Sequence, residues 1–157
     1  TGGIRKGIAP GVITMGNLYE VITFDNTICT VELTGKQIMK VLEYGLMNQK
    51  IGMVQYSGLK VIYNSQASSD RRIVAVMSGT GKPLELDKTY TVAINDFLAA
   101  GGDGFVVLQQ GKKLRDTGIV VRDSLVEALG KEATIDFRGD DRWKHLSSLS
   151  YQGKKAA

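Results

Sequence analysis

A chain of 157 residues, 43% of them hydrophobic, has the length of about one domain and enough apolar mass for an ordinary core without metal or disulfide support. Its 20 Lys and Arg against 16 Asp and Glu leave a net charge of +4, and the basic residues are dispersed, so nucleic acid is not the expected partner. Cys29 is the single cysteine and His145 the single histidine, which excludes an intrachain disulfide, a cysteine cluster and any multi-histidine metal site, while no apolar run approaches the roughly 18 residues that cross a bilayer.

The opening, Thr1 to Gly16, holds five glycines and one of the two prolines and reads as an ordered loop or strand end. With neither an initiator Met nor a basic segment ahead of an apolar one, it is expected to be the start of an excised piece, from which no targeting signal can be read. From Leu18 to Leu33 the residues Val21, Ile22, Phe24, Ile28, Thr30 and Val31 favour extended structure, interrupted by turn chemistry at Asp25-Asn26. Cys29 lies in this β-branched run and is expected to pack as a small hydrophobe. Thr34 with Gln37 forms a capping box, and Ile38, Val41, Leu42, Gly45 and Leu46 make one helical stripe, which predicts a helix from about Gly35 to Gln49.

Ser57 to Tyr63 and Arg71 to Met77 read as strands separated by the polar turn stretch Asn64 to Asp70. Gly79-Thr80-Gly81 then reverses the chain before Thr89 to Ile94, which predicts a meander. Asn95 to Gly104 breaks the pattern. Thr117 is expected to cap a helix striped by Val121, Leu125, Ala128 and Leu129 and closed by Gly130. The tail from Tyr151 is polar and expected to fray. Strand and helix signals interleave without a βαβ rhythm, so the expected fold is a single α+β domain with a mixed, largely antiparallel sheet and flanking helices.

Few groupings suggest chemistry. Gly101-Gly102-Asp103-Gly104 has neither the glycine spacing of a dinucleotide fingerprint nor the Gly-Lys-Ser/Thr ending of a P-loop. Preceded by Asn95-Asp96-Phe97-Leu98, however, it sets an aromatic ring and polar groups beside glycines that allow close approach of backbone or ligand. The Asp103 carboxylate suits the hydroxyls of a sugar diol. Gly2-Gly3-Ile4-Arg5 presents one guanidinium, a group suited to phosphate or carboxylate. His145 has no carboxylate or serine at a telling distance in the sequence and is not expected to be a catalytic base. Arg138-Gly139-Asp140 matches an adhesion tripeptide, but within a charge-rich surface stretch.

Five segments in the same order carry a resemblance: Gly2-Gly3-Ile4-Arg5, Glu20 to Thr27, Val31-Glu32-Leu33-Thr34-Gly35, Ser57-Gly58-Leu59 and Asn95 to Phe105. Together they closely resemble the C-terminal domain of the 5′-nucleotidase family, which also includes UDP-sugar hydrolases and 2′,3′-cyclic-nucleotide phosphodiesterases. The resemblance runs from Thr1 to about Leu108. It implies that residues 1–157 form the substrate-binding domain, and that a separate N-terminal metallophosphoesterase domain carries the catalytic groups and two divalent metals, Zn or Mn. It further implies that Phe24 and Phe97 sandwich a base, Asp103 holds the ribose hydroxyls and Arg5 faces the phosphate. No catalytic or metal-ligating residue is then expected in this chain, which would bind a nucleotide or nucleoside without cleaving it. The family's Asn ahead of the glycines has no counterpart here, and further phosphate-lining arginines lie upstream in the family, so binding by this chain alone is expected to be weak. An extracellular, periplasmic or surface-attached location is implied as well. Stacking on both faces of one flat base sets the two rings roughly 7 Å apart.

Overall fold

The computed structural model describes residues 3–48, 53–68, 71–132, 134–136 and 142–148. The fold is α+β, as expected, with its strands in two small, mostly antiparallel sheets of order β4-β1-β5 and β3-β2-β6. The strands are β1 (Thr27–Thr34), β2 (Leu59–Tyr63), β3 (Ile73–Ser78), β4 (Thr89–Asn95), β5 (Lys112–Val120) and β6 (Trp143–His145). The helices are α1 (Met15–Val21), α2 (Gly35–Met47), α3 (Asp96–Ala99) and α4 (Val121–Gly130). The chain divides into two compact units, one of Thr1–Leu33 with Thr89–Phe137 and one of Thr34–Lys88 with Arg138–Ala157.

In the first unit, β1 alternates strictly, burying Cys29, Val31 and Leu33, because successive side chains of a strand point to opposite faces. With Leu18, Ala99, Phe105 and Leu108 they make its core. β5 runs antiparallel to β1, setting Cys29 opposite Asp116 and Thr30 opposite Arg115. The Thr117 hydroxyl donates to the Ile28 carbonyl at 2.7 Å. This strand bond is why Thr117 does not cap a helix: α4 starts four residues later with Val120 as an N-cap that makes no side-chain bond, and the Val121 amide donates instead to the Asn26 carbonyl at 2.8 Å. Gly130 is the last helical residue rather than a cap, with Lys131 still right-handed beyond it.

A second correction concerns Leu18 to Val21, which is helical and not extended. Thr14 accepts from the Asn17 amide while the Asn17 side chain accepts from the Thr14 N–H, a reciprocal cap that starts α1. Asn in place of Glu or Gln at the third position hides this box from the usual signature.

In the second unit, α2 follows the predicted box of Thr34 and Gln37 and buries Ile38, Leu42 and Gly45 along one stripe. It ends at Met47, and residue 49 lies outside the described residues. Two α2-to-β3 bonds dock it: the Glu43 carboxylate accepts the Arg72 and Ile73 amides at 3.3 and 3.2 Å. β2 pairs antiparallel with β3 and parallel with β6. The predicted meander does not continue into β4. After the reversal at Gly79 to Gly81 the returning arm makes one isolated bridge, Pro83 to Met77, flanked by the Ser78 amide on the Lys82 carbonyl at 2.8 Å and the Leu84 amide on the Val76 carbonyl at 2.9 Å, and β4 joins the sheet of β1 instead. The Arg138 to Asp140 tripeptide and the tail from Tyr151 lie outside the described residues.

Candidate functional site

The four sequence-derived site residues all belong to the first unit. Phe24 sits in the short connection between α1 and β1 and is 46% exposed. The Arg5 guanidinium carbon lies 5.2 Å from the centre of its ring, a cation–π distance. Arg5 is placed there by its own backbone, whose N–H donates to the Val21 carbonyl at 2.9 Å just ahead of the Phe24 connection.

That connection is fastened from α4. Arg122, 5% exposed, donates through Nη1 to the Ile22 carbonyl at 3.0 Å and through Nη2 to the Asp25 carboxylate. Its guanidinium carbon stacks 3.8 Å from the centre of the Tyr19 ring. The hydrogen bond to Asp25 raises the already high pKa of this guanidinium, and burial opposes it, so the side chain is a buried permanent cation matched to one carboxylate and one carbonyl.

Phe97 is carried by α3, whose first turn is capped when the Leu98 amide donates to Asn95 Oδ1 at 2.9 Å. The adjoining carboxylate ties the two aromatic segments together. Asp96 Oδ1 accepts the Phe97 N–H at 2.8 Å and the Asn26 side-chain amide at 2.7 Å. Phe97 is 47% exposed, so neither ring is consumed by the core.

The glycines after α3 have a specific use. Gly101 has φ of +79°, a left-handed turn that a side chain resists. At Gly102 a Cβ would come within 2.4 Å of the Phe97 ring, so the absence of a side chain lets the backbone lie against it. Asp103 follows, exposed, in left-handed conformation with φ of +54°, a region that Asp tolerates better than most residues. Arg5 and Phe24 are thus in contact, the segments of Phe24 and Phe97 are joined by the bond from Asn26 to Asp96, and Asp103 is next to the glycine that packs on Phe97.

Sequence reasoning missed the fasteners. Asn26 and Asp96 each lie within two residues of an aromatic site residue, a signal present in the sequence, whereas Arg122 has no local mark at all. The remaining chemical candidates are structural. Cys29 is 3% exposed and its thiol pKa is pushed up, first by burial and then by the charges of Asp116 and Asp96. His145 lies in the second unit with Nε2 at 3.0 Å from Ser65 Oγ and Nδ1 at 2.7 Å from Ser147 Oγ, and it packs edge-on against Tyr63. The partner Ser147 stands only two residues away, a nearness the sequence reading overlooked. Among the described residues no group of three or more His, Cys, Asp and Glu side chains is placed to hold a metal ion.

The chain as a whole has relatives among known proteins. Residues 1–110 match the family described as 5′-nucleotidase, C-terminal domain. The chain is 36% identical over 137 residues to the trifunctional nucleotide phosphoesterase protein YfkN of Bacillus subtilis, covering 83% of this chain and 9% of that protein. It is 30% identical over 171 residues to the cell wall protein Lmo0130 of Listeria monocytogenes, covering 99% of this chain and 22% of that protein. The crystal structure of a 5′-nucleotidase precursor from Thermus thermophilus superposes with a TM-score of 0.86 at 37% identity, covering 92% of this chain and 30% of that one. The chain therefore spans less than a third of each of these relatives. A family match over most of its length, together with a shared fold at that identity, makes this chain a member of the 5′-nucleotidase C-terminal domain family.

Proposed function

We propose that the chain is the nucleotide-recognising domain of a metal-dependent 5′-nucleotidase that hydrolyses nucleoside monophosphates to nucleosides and phosphate. The observation that carries this reading is the Arg5 guanidinium lying 5.2 Å from the centre of the half-exposed Phe24 ring, since a ligand that joins a flat base to an anion satisfies both groups at once. Phe24 and Phe97 stack on the base, Asp103 accepts the ribose hydroxyls, and Arg5 attracts the phosphate. The Asn26 to Asp96 bond supports a common site for the two rings.

The chain binds and does not cleave. A dinuclear phosphoesterase centre draws on several His and Asp ligands, and this sequence has one histidine. The metals, Zn or Mn, and the attack on phosphorus belong to an N-terminal metallophosphoesterase domain of the same polypeptide. An extracellular or surface location rests on the relative named a cell wall protein.

Calorimetric titration of the chain with adenosine, AMP and a single-stranded oligonucleotide tests the recognition. AMP is expected to bind, and more tightly than adenosine. An oligonucleotide preferred over AMP, or AMP hydrolysis by the chain with Zn or Mn that is lost on changing its own residues, overturns the reading. In the full-length protein, AMP is expected to outcompete 2′,3′-cyclic AMP and UDP-glucose as substrate.

A further inference from the structure

We infer that Arg122 is a positioning residue for base recognition: buried behind the connection between α1 and β1, it sets the orientation of the Phe24 ring. The inference rests on the reading of Phe24 as a base-stacking platform and adds the group that holds it.

The grip on the connection is unusually complete for so short a segment. Two residues before Phe24 the Ile22 carbonyl is taken by Arg122 Nη1 at 3.0 Å, and one residue after it the Asp25 carboxylate is taken by Nη2. The Asn26 carbonyl receives the amide of the adjacent Val121 at 2.8 Å. A guanidinium is a rigid planar fork, so its two contacts fix each other's directions. The fork itself is immobilised on the Tyr19 ring at 3.8 Å. Phe24 is thus held on both sides along the chain while its own ring stays 46% exposed.

Stability alone gives a poor account of this arrangement. Among the described residues Arg122 Nε is buried without a hydrogen-bond partner, and a buried donor left unsatisfied costs free energy that an apolar side chain would not. Asp25, the charged partner, has a side chain 75% exposed against 6% for Arg122, so the buried cation bears a desolvation cost that a carboxylate facing water offsets only in part. What the pair supplies is direction, and the residue between its two anchors is the aromatic ring.

The test is a double-mutant cycle in the full-length protein, read as the affinity for adenosine, which carries base and ribose but no phosphate. Phe24→Ala is expected to weaken adenosine about tenfold, the loss of one stacking face. Arg122→Met is expected to weaken it about fivefold in the native background and less than about twofold in the Phe24→Ala background, because a residue that acts through the ring loses its effect with the ring. Asp25→Asn, on an exposed side chain, provides the same cycle if Arg122→Met does not fold, and Arg122→Lys, which keeps the charge without the fork, is expected to fall between native and Arg122→Met. An undiminished loss in the Phe24→Ala background, or none in the native one, overturns the positioning role and leaves the stacking reading standing. No effect of Phe24→Ala itself overturns both.

Discussion

Asp96 holds Asn26 across 70 positions of sequence, its Oδ1 accepting the Asn26 side-chain amide at 2.7 Å while also accepting the backbone N–H of Phe97. One carboxylate oxygen therefore fixes the start of the helix that carries one aromatic ring and the loop that carries the other. Because the two donors come from segments far apart in the chain, the bond forms only when the first unit is folded.

Asp96→Ala is expected to destabilise the first unit by about 1.5 to 3 kcal/mol, the range for hydrogen bonds to a charged acceptor in a partly buried setting. Asp96→Asn keeps a carbonyl oxygen and is expected to cost less than the Ala variant. Urea unfolding measures both, and equal stability of Asp96→Ala and the native chain removes the bond from the account.

At Gly102 the expected outcome is different, because a Cβ would stand 2.4 Å from the Phe97 ring. Gly102→Ala must displace that ring, at a cost toward the low end of the roughly 1 to 3 kcal/mol of overpacked sites, since Phe97 is half-exposed and has room to move outward. Adenosine affinity should fall as far as it does in Phe97→Ala. Native adenosine affinity in Gly102→Ala would mean that the ring's position does not matter to binding.

How much of this is legible in the sequence depends on the range of the interaction. The helix Gly35–Met47 is legible because Thr34, Gln37 and the Ile38 stripe are all local. β1 and its buried Cys29 follow from an alternation that needs no partner to be seen. The short helix at Met15 escapes the sequence reading because its cap uses Asn17, and β4 is misassigned because a turn signal says where a chain reverses but not which strand it rejoins. In the site, the aromatics, Asp103 and Arg5 are named from motifs, while Arg122 is invisible: its partners Ile22 and Asp25 stand 100 and 97 positions away.

The paired residues Cys29 and Asp116 predict a pH profile with two arms. Burial raises the Cys29 pKa, so the folded state keeps its proton where the unfolded chain releases it. Its contribution is present below the unfolded thiol value of about 8.5 and is lost as pH rises through the higher folded value. Asp116 is lowered by the Gly118 amide and the Thr27 hydroxyl, so its contribution is present above the unfolded carboxylate value of about 3.9 and is lost as pH falls through the lower folded one. Thermal unfolding across pH should show Cys29→Ala flattening the alkaline arm and Asp116→Asn the acid arm. Rapid alkylation of native Cys29 at neutral pH would contradict its burial.

The sharpest test of the site is ribose discrimination at Asp103. An ionised carboxylate accepts from both hydroxyls of a ribose diol but meets only one in a 2′-deoxy sugar. Asp103→Asn suits the position, because Asn also tolerates the left-handed backbone at φ of +54°, so any loss reports on the removed charge and acceptor oxygen rather than on strain. In the full-length protein the variant should weaken adenosine by about 1.5 kcal/mol or more and deoxyadenosine by clearly less, narrowing the preference between them. Arg5→Ala should do the opposite, weakening AMP while leaving adenosine near its native affinity. Calorimetry on the four ligand and variant combinations separates the roles. Equal losses for adenosine and deoxyadenosine in Asp103→Asn would assign the carboxylate to the glycine turn and not to the ligand.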